Sequence, residues 1–169
     1  MRSKIYITVI GSSKDISPKV YELAEKVGFE IAKRGAILVC GGRGGVMEAV
    51  AKGARIAGGI TVGILPGVSR GEANQYIDIV IPTGMGHGRN FLNIVAGDGV
   101  IAISGGAGTL SEIGLAIAYG KPVVVIKGSG GVADLLAGKN IGGTYIDFAH
   151  TPEEAVEKLI SLIKLNQNR

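Results

Sequence analysis

The chain has 169 residues, one cysteine and a net charge of +4. A chain of this length buries roughly 70% of its unfolded surface as one domain, so it needs no disulfide or metal for stability. One cysteine excludes an internal disulfide, and the mild charge without tryptophan or a lysine and arginine run argues against a nucleic-acid partner. We therefore expect a single domain over residues 1–169.

Glycine is the compositional outlier, with 29 residues in a chain that is 46% hydrophobic. No collagen period accompanies it, so the excess indicates tight turns in a packed domain. Met1 to Lys4 lead directly into a β-branched segment that is too short for a signal peptide. No apolar stretch approaches the roughly 20 residues of a membrane helix. The sequence predicts a soluble, cytoplasmic protein without a membrane partner.

Short β-rich segments alternate with helical patterns along the chain. The predicted strands are Ile5–Ile10, Ala36–Cys40, Ile60–Leu65, Ile77–Ile81, Val100–Ile103, Pro122–Ile126 and a weaker Tyr145–Asp147. The predicted helices are Ser17–Arg34, Val46–Ala57, Arg89–Ala96, Leu110–Tyr119, Val132–Leu136 and Thr151–Lys164. This alternation predicts an α/β fold, with a doubly wound parallel sheet of six to seven strands and helices on both faces.

Glycine- or serine-rich loops follow three of the predicted strands. They are Gly11-Ser12-Ser13 after the first strand, Gly41-Gly42-Arg43-Gly44-Gly45-Val46-Met47 after the second, and Gly105-Gly106-Ala107-Gly108-Thr109 after the fifth. The carboxyl ends of parallel strands meet at one edge of a sheet, where ligands bind. Each loop alone could be a tight turn, but together they predict one shared site.

The third loop joins a hydrophobic strand to a helix, which is where strand–helix proteins hold phosphate. Its glycines allow close approach of an anion, and the first amides of the helix point at it. Glu112 follows one turn into the helix, where its carboxylate could meet the ligand. The spacing Thr109-x-x-Glu112 also fits a capping box, in which both side chains only satisfy backbone donors. The sequence leaves these two alternatives open.

Several other kinds of site are not supported by the sequence. The first loop lacks the dinucleotide fingerprint, no acid ends the second strand, and no Gly-Lys-Ser/Thr segment occurs, so neither NAD nor a P-loop is indicated. His87 and His150 have no ligand partners at metal-binding spacing, so no metal site is expected. His87 could still contact a ligand beside Arg89. Cys40 is expected to be an ordinary buried residue.

The motifs together resemble those of the lonely-guy superfamily, long labelled possible lysine decarboxylases. The resemblance spans residues 5 to 127, and the segments that carry it are Gly41 to Met47, Met85-Gly86-His87-Gly88-Arg89-Asn90, and Gly105-Gly106-Ala107-Gly108-Thr109-Leu110-Ser111-Glu112. The superfamily contains nucleoside 5′-monophosphate phosphoribohydrolases and molybdenum-cofactor carriers. The segments Thr61 to Gly67 and Gly84 to Asn90 are closer to the carrier branch. The hydrolase motif begins Pro-Gly-Gly, whereas this chain has Ser104-Gly105-Gly106.

The resemblance implies a Rossmann-like nucleotide-binding domain that forms a homodimer or higher homo-oligomer. It implies catalytic roles for Arg89 and Glu112, with no cofactor, in hydrolysing the N-glycosidic bond of a nucleoside 5′-monophosphate. The alternative is a non-catalytic carrier or sensor of molybdenum cofactor or a nucleotide. Lysine decarboxylation has no support. The expected ligand-binding residues are Gly11, Ser12, Gly41, Gly42, Arg43, Gly44, Gly45, Met47, Asn90, Gly105, Gly106, Ala107, Gly108 and Thr109.

The dimer interface is expected near the site. The predicted helix Arg89–Ala96 carries Leu92, Ile94 and Val95, and with the helix Leu110–Tyr119 it offers more apolar surface than one helix face needs.

Overall fold

A computed structural model describes residues 4–168 of the chain, so Met1 to Ser3 and Arg169 lie outside the described residues. Within residues 4–168, seven strands form one sheet in the order β4-β3-β2-β1-β5-β6-β9, and all neighbouring strands are parallel. These strands are β1 (Tyr6–Gly11), β2 (Ile37–Cys40), β3 (Thr61–Leu65), β4 (Ile79–Pro82), β5 (Gly99–Ile103), β6 (Val123–Ile126) and β9 (Asp147–Ala149).

The described residues form six α-helices. They are α1 (Pro18–Lys33), α2 (Val46–Ile56), α3 (Arg89–Ala96), α4 (Ala107–Ala118), α5 (Gly131–Leu136) and α6 (Pro152–Gln167). The two longest begin at side-chain caps, since Ser17 Oγ accepts from Val20 N–H and Thr151 Oγ1 from Glu154 N–H, both at 3.2 Å. Each has proline in its first turn, where the missing N–H costs nothing.

The helices cover the two faces of the sheet. Buried side chains of α1, α2 and α6 form one core cluster with one face, and those of α3, α4 and α5 form a second cluster with the other. The strands β5 and β6 are buried at every position, which is why they appear in the sequence as unbroken apolar segments. The predicted α/β fold with a doubly wound parallel sheet is confirmed.

The strand order reverses beside β1. The chain builds outward from β1 through β2 to β4, and then returns to place β5 on the other side of β1. Loops leaving the carboxyl ends of β1 and β5 therefore run in opposite directions and leave a crevice between them. This topology puts the site between the first and fifth strands.

The last predicted strand, Tyr145–Asp147, is wrong in extent. The chain instead forms a two-stranded antiparallel hairpin of β7 (Asn140–Ile141) and β8 (Thr144–Tyr145), followed by β9 in the main sheet. Gly142 and Gly143 have φ of 57° and 87°, the left-handed values that a two-residue hairpin turn needs. The segment was predicted as one strand because β-prone residues lie both at the end of β8 and within β9.

Candidate functional site

A cavity of about 390 Å³ opens at the carboxyl edge of the sheet, between the loops that follow β1, β2 and β5. The three glycine-rich loops therefore contribute to one pocket, which α3 and α4 complete. Its lining residues are Val9, Ile10, Gly11, Ser12, Ser13, Lys14, Gly41, Met47, His87, Arg89, Asn90, Asn93, Gly106, Ala107, Gly108, Thr109 and Glu112.

Most of the predicted site residues line this pocket, and five do not. The five are Gly42, Arg43, Gly44, Gly45 and Gly105.

The residues of the second loop that miss the pocket shape the loop instead. Gly42 and Gly45 have φ of 78° and 64°, which favour glycine. The Arg43 side chain is exposed, and its carbonyl accepts a hydrogen bond from Asn74 Nδ2 at 2.8 Å. At the end of this loop, Val46 N–H donates to Ser12 O at 2.9 Å, which ties the second loop to the first.

The N-terminus of α4 supplies backbone donors to the pocket. The helix begins at Ala107, and its first backbone bond is from Leu110 N–H to Gly106 O at 2.9 Å. The amides of Ala107, Gly108 and Thr109 thus have no acceptor within the helix, and they lie at the positive end of its dipole. This end of α4 is suited to an anion.

The capping-box alternative for Thr109 and Glu112 is wrong. No side chain caps α4, because the helix begins three residues before the predicted Leu110 and Thr109 already lies inside its first turn. Glu112 lies in the second turn, where the backbone donors have helical partners. The Glu112 carboxyl is therefore free of a capping role.

The loop before α4 is held from behind by α5. Val132 N–H donates to Gly105 O at 2.9 Å, and Ala133 N–H donates to Ser104 O at 3.1 Å. Gly105 N–H in turn donates to Ser12 Oγ at 3.1 Å, so the first and third loops are joined directly. The pocket wall is therefore fixed by hydrogen bonds that do not involve a ligand.

Ser104 enters this loop in an unusual backbone conformation. Its φ is 55°, in the left-handed region that residues with a Cβ rarely adopt, and its N–H donates to Ser129 Oγ at 2.8 Å. Proline has φ near −65° and no N–H. The backbone of this position therefore excludes the proline that begins the hydrolase motif.

Arg89 begins α3 and reaches across the carboxyl ends of two strands. Its Nη1 donates to Gly41 O at 2.7 Å and to Ile64 O at 2.8 Å. A Cβ at Gly41 would overlap the guanidinium and the Met47 sulfur, so glycine is needed here for the close approach. Burial lowers the pKa of Arg89, and the nearby Glu112 opposes this shift. The guanidinium is fixed at the pocket in the absence of a ligand.

Glu112 is the buried carboxyl of the pocket, with 7% of its surface exposed. Its Oε1 accepts a hydrogen bond from Asn93 Nδ2 at 3.3 Å, and no ion pair among the described residues joins it to Arg89. Burial raises the pKa of Glu112 to about 7, while the Asn93 hydrogen bond and the Arg89 charge act in the opposite direction. The carboxyl is thus able to exchange a proton near neutral pH.

Six lining residues were not among the predicted site residues: Val9, Ile10, Ser13, Lys14, His87 and Asn93. Asn93 carried a usable signal, because it follows Arg89 by four residues on a helix and so lies on the same face. His87 was considered only as a possible contact.

Cys40 is buried as expected, and burial raises the pKa of its thiol to about 11, so it stays protonated.

An apolar surface adjoins the pocket on the outer side of α3 and α4. Phe91, Val95, Leu110 and Tyr119 are 37% to 55% exposed, and the Phe91 and Tyr119 rings meet edge to face at 5.3 Å. Ile94 was expected on this surface, but it is fully buried in the core beneath α3. Leu92 and Ile94 are two positions apart on the helix, so their side chains point in nearly opposite directions and cannot share a face.

Within the described part of the chain, none of the helices is long and apolar enough to span a membrane.

The fold and the pocket place this chain among the Rossmann-like α/β proteins whose site lies where the strand order reverses. Residues 4–158 match the SLOG cluster4 family, and the chain belongs to this family. The predicted resemblance to the lonely-guy and molybdenum-cofactor carrier superfamily is thereby confirmed.

The chain is similar to proteins of two kinds, phosphoribohydrolases and molybdenum-cofactor proteins. The cytokinin riboside 5′-monophosphate phosphoribohydrolase of Mycobacterium tuberculosis is 33% identical, with 95% of this chain and 92% of the relative aligned. The molybdenum cofactor binding protein of Rippkaea orientalis superposes with a TM-score of 0.88 at 36% identity, covering 96% of this chain and 99% of that one. The molybdenum cofactor carrier protein of Chlamydomonas reinhardtii gives 0.86 at 33% identity, with the same coverage.

Proposed function

We propose that the pocket binds a phosphorylated, nucleotide-like ligand. The free amides at the start of α4 would hold the phosphate, since a helix N-terminus attracts anions. Lys14 and Arg89 line the same cavity and add positive charge. The loop needs no rearrangement to do so, because hydrogen bonds to Ser12 and α5 already fix it.

We propose further that the protein hydrolyses the N-glycosidic bond of a nucleoside 5′-monophosphate. The observation that carries this proposal is the burial of the Glu112 carboxyl in the pocket beside the α4 amides, which raises its pKa to about 7. A group with this pKa is well matched to general acid–base catalysis at neutral pH. The related phosphoribohydrolase of Mycobacterium tuberculosis supports the same chemistry.

In the proposed reaction, the bond between the sugar C1′ and the base nitrogen breaks and leaves oxocarbenium character on the ribose. The ionised Glu112 orients a water molecule, stabilises this charge and accepts the water proton as the new C–O bond forms. The departing base takes both electrons of the broken bond and a proton from solvent, and Glu112 then returns the water proton to solvent. The products are the free base and ribose 5-phosphate, and no cofactor takes part.

A second candidate function is non-catalytic carriage of a phosphorylated pterin or nucleotide, such as molybdenum cofactor. The left-handed Ser104, which excludes the proline of the hydrolase motif, favours this candidate. The solved relatives from Rippkaea orientalis and Chlamydomonas reinhardtii support it as well. In this case the cofactor would be cargo, and Glu112 would contact it without catalysing a reaction.

Incubation with a panel of nucleoside 5′-monophosphates tests the proposal, with chromatography of the free base and ribose 5-phosphate. We expect release from at least one monophosphate and much weaker reaction of the matching nucleoside, because only the monophosphate engages the α4 amides. Glu112→Gln should lower turnover by about 10²-fold or more with the protein still folded. Arg89→Ala should reduce kcat/KM for the monophosphate more than for the nucleoside.

Binding of monophosphates without release of any base would exclude hydrolysis and favour the carrier function. Equal turnover of the Glu112→Gln variant and the parent would exclude Glu112 as the catalytic group. Indifference of both binding and reaction to the phosphate would exclude both candidate functions.

We also propose that a second copy of the chain covers the apolar surface of α3 and α4. Ile79 and Ile81 of the edge strand β4 are nearly half exposed as well. A second cavity, of about 700 Å³, lies between α3 and α4 and shares four lining residues with the first pocket: His87, Asn90, Ala107 and Gly108. A homodimer formed here would bring the second copy to the edge of the site.

A further inference from the structure

Asn93 is the most completely buried polar side chain of the pocket, with 2% of its surface exposed. Its place is fixed from two directions. It lies on α3 one turn after Arg89, and its backbone carbonyl accepts a hydrogen bond from Thr8 Oγ1 at 2.7 Å on the central strand. Its side chain therefore has little freedom beyond rotation of the amide.

The Asn93 amide is only half used. Its Nδ2 donates to Glu112 Oε1, whereas its Oδ1 is buried and has no hydrogen-bond partner among the described residues. A buried acceptor without a partner costs free energy, and such groups call for an explanation. The amide offers a donor on one side and an acceptor on the other, opposite a carboxyl that can carry or lose a proton.

The two protonation states of Glu112 need opposite partners. An ionised carboxylate only accepts hydrogen bonds and is served by Asn93 Nδ2, as in the observed contact. A protonated carboxyl can donate, and a half-turn of the amide would present Oδ1 to it. Asn93 Oδ1, which has no partner in the observed contact, is therefore the atom that would accept a hydrogen bond from protonated Glu112.

We propose that Asn93 is a positioning residue that keeps the Glu112 carboxyl in one place through both of its protonation states by turning its amide. This inference rests on the proposed role of Glu112 as the acid–base group of the pocket. It assigns Asn93 no contact with the reacting atoms. Loss of the amide should change how Glu112 titrates, and not merely how α3 packs.

Few other charged groups face Glu112. Arg89 of α3 and Cys40 of β2 interact with it electrostatically, and His87 and Lys14 lie along the pocket wall. The β5 and β6 segments carry no titratable side chain. Asp134 of α5 is engaged with backbone amides on its own loop. A change in titration on altering Asn93 is therefore attributable to the hydrogen bond.

The test is a titration of the Glu112 carboxyl carbon by NMR, in protein labelled with 13C-glutamate and assigned by the signal lost in Glu112→Gln. Asn93→Leu has a similar volume but neither donor nor acceptor. The hydrogen bond to the ionised carboxylate is stronger than the one to the neutral carboxyl, so we expect the loss of both to raise the midpoint by about one pH unit. Asn166→Leu, an exposed asparagine on α6, is the matched control and should leave the midpoint unchanged.

Asn93→Asp retains the size of the side chain and gives a second measurement if the leucine variant does not fold. Two carboxyls at hydrogen-bond distance should titrate as a coupled pair, with one midpoint above that of the parent. A midpoint in Asn93→Leu within about 0.3 units of the parent, or independent titration of the two carboxyls in Asn93→Asp, would overturn the proposal.

Because the titration uses no nucleotide, its outcome is independent of whether the protein hydrolyses or only carries its ligand. If base release is observed, the pH profile of kcat/KM, which reports the free enzyme, should shift in Asn93→Leu by the same interval as the NMR midpoint.

Discussion

Replacement of Glu112 by glutamine should make the protein more stable at alkaline pH, although it removes the proposed catalytic group. The pKa of Glu112 is raised from 4.5 to about 7 in the folded protein because burial penalises its charged form. The folded state therefore holds this proton more tightly than the unfolded chain does. The resulting stability is fully present below about pH 4.5 and is lost as pH rises through about 7.

The size of the effect follows from the shift. One pH unit corresponds to about 1.4 kcal/mol, so ionisation of Glu112 should cost the folded protein about 3 kcal/mol above pH 8. Glutamine has nearly the same volume and stays neutral, and its carbonyl oxygen can still accept from Asn93 Nδ2. The variant and the parent should thus be similar at pH 5, and the variant should gain up to about 3 kcal/mol by pH 8.5.

Urea unfolding at pH 5, 6, 7, 8 and 8.5 measures this difference. The free energy of unfolding of the variant is compared with that of the parent at each pH, so contributions from the titration of other groups cancel. Glu157→Gln, at an exposed position of α6, is the matched control and should give a difference that does not vary with pH. A Glu112→Gln difference that stays constant from pH 5 to 8.5 would show that Glu112 ionises freely, and the argument from burial would fail.

Three further predictions test the loops and the apolar surface. Ser104→Pro should cost about 3 kcal/mol or more and lower Tm by about 6–12 °C in thermal denaturation, because proline can neither adopt φ of 55° nor donate to Ser129 Oγ, whereas Ser104→Gly should stay within about 1 kcal/mol. Gly41→Ala should displace the Arg89 guanidinium and weaken AMP binding by about tenfold or more in calorimetry. Val95→Glu should convert a dimer to a monomer in light scattering at micromolar concentration.

Each of these predictions has a clear contrary result. An undiminished Tm in Ser104→Pro would mean that the loop also accepts the backbone of the hydrolase motif. Unchanged AMP affinity in Gly41→Ala would show that the position of Arg89 does not matter for binding. Leu165→Glu, at an exposed apolar position of α6, is the control for Val95→Glu, and equal effects of the two would argue against a specific interface.

The fold could be predicted from the sequence because parallel strands buried on both faces leave continuous apolar segments, and β5 and β6 are of this kind. The convergence of the three loops also followed from the parallel arrangement, since the carboxyl ends of parallel strands lie at one edge of the sheet. The start of α4 was placed three residues too late because glycine has low helix propensity and adds nothing to a hydrophobic pattern. Gly106 and Gly108 lie at that start.

Other features depend on tertiary contacts that no local pattern contains. The raised pKa of Glu112 depends on how completely α3 and the loops cover it. The spacing from Arg89 could have placed Asn93 on the pocket side of its helix, but its burial against Glu112 depends on the tertiary fold. The left-handed Ser104 is stabilised by Ser129 and α5, which lie more than twenty residues away.

The six-residue helix α5 affects the pocket without lining it. A peptide group whose carbonyl accepts a hydrogen bond becomes more polarised, and its N–H becomes a better donor. Val132 donates to the carbonyl of the peptide that Gly105 shares with Gly106, and the Gly106 N–H belongs to that peptide. The hydrogen bond from α5 draws electron density toward the Gly105 carbonyl oxygen, and the N–H of the same peptide group becomes more positive. The short helix thus strengthens, through the bonds of the loop itself, a donor that an anion in the pocket would meet.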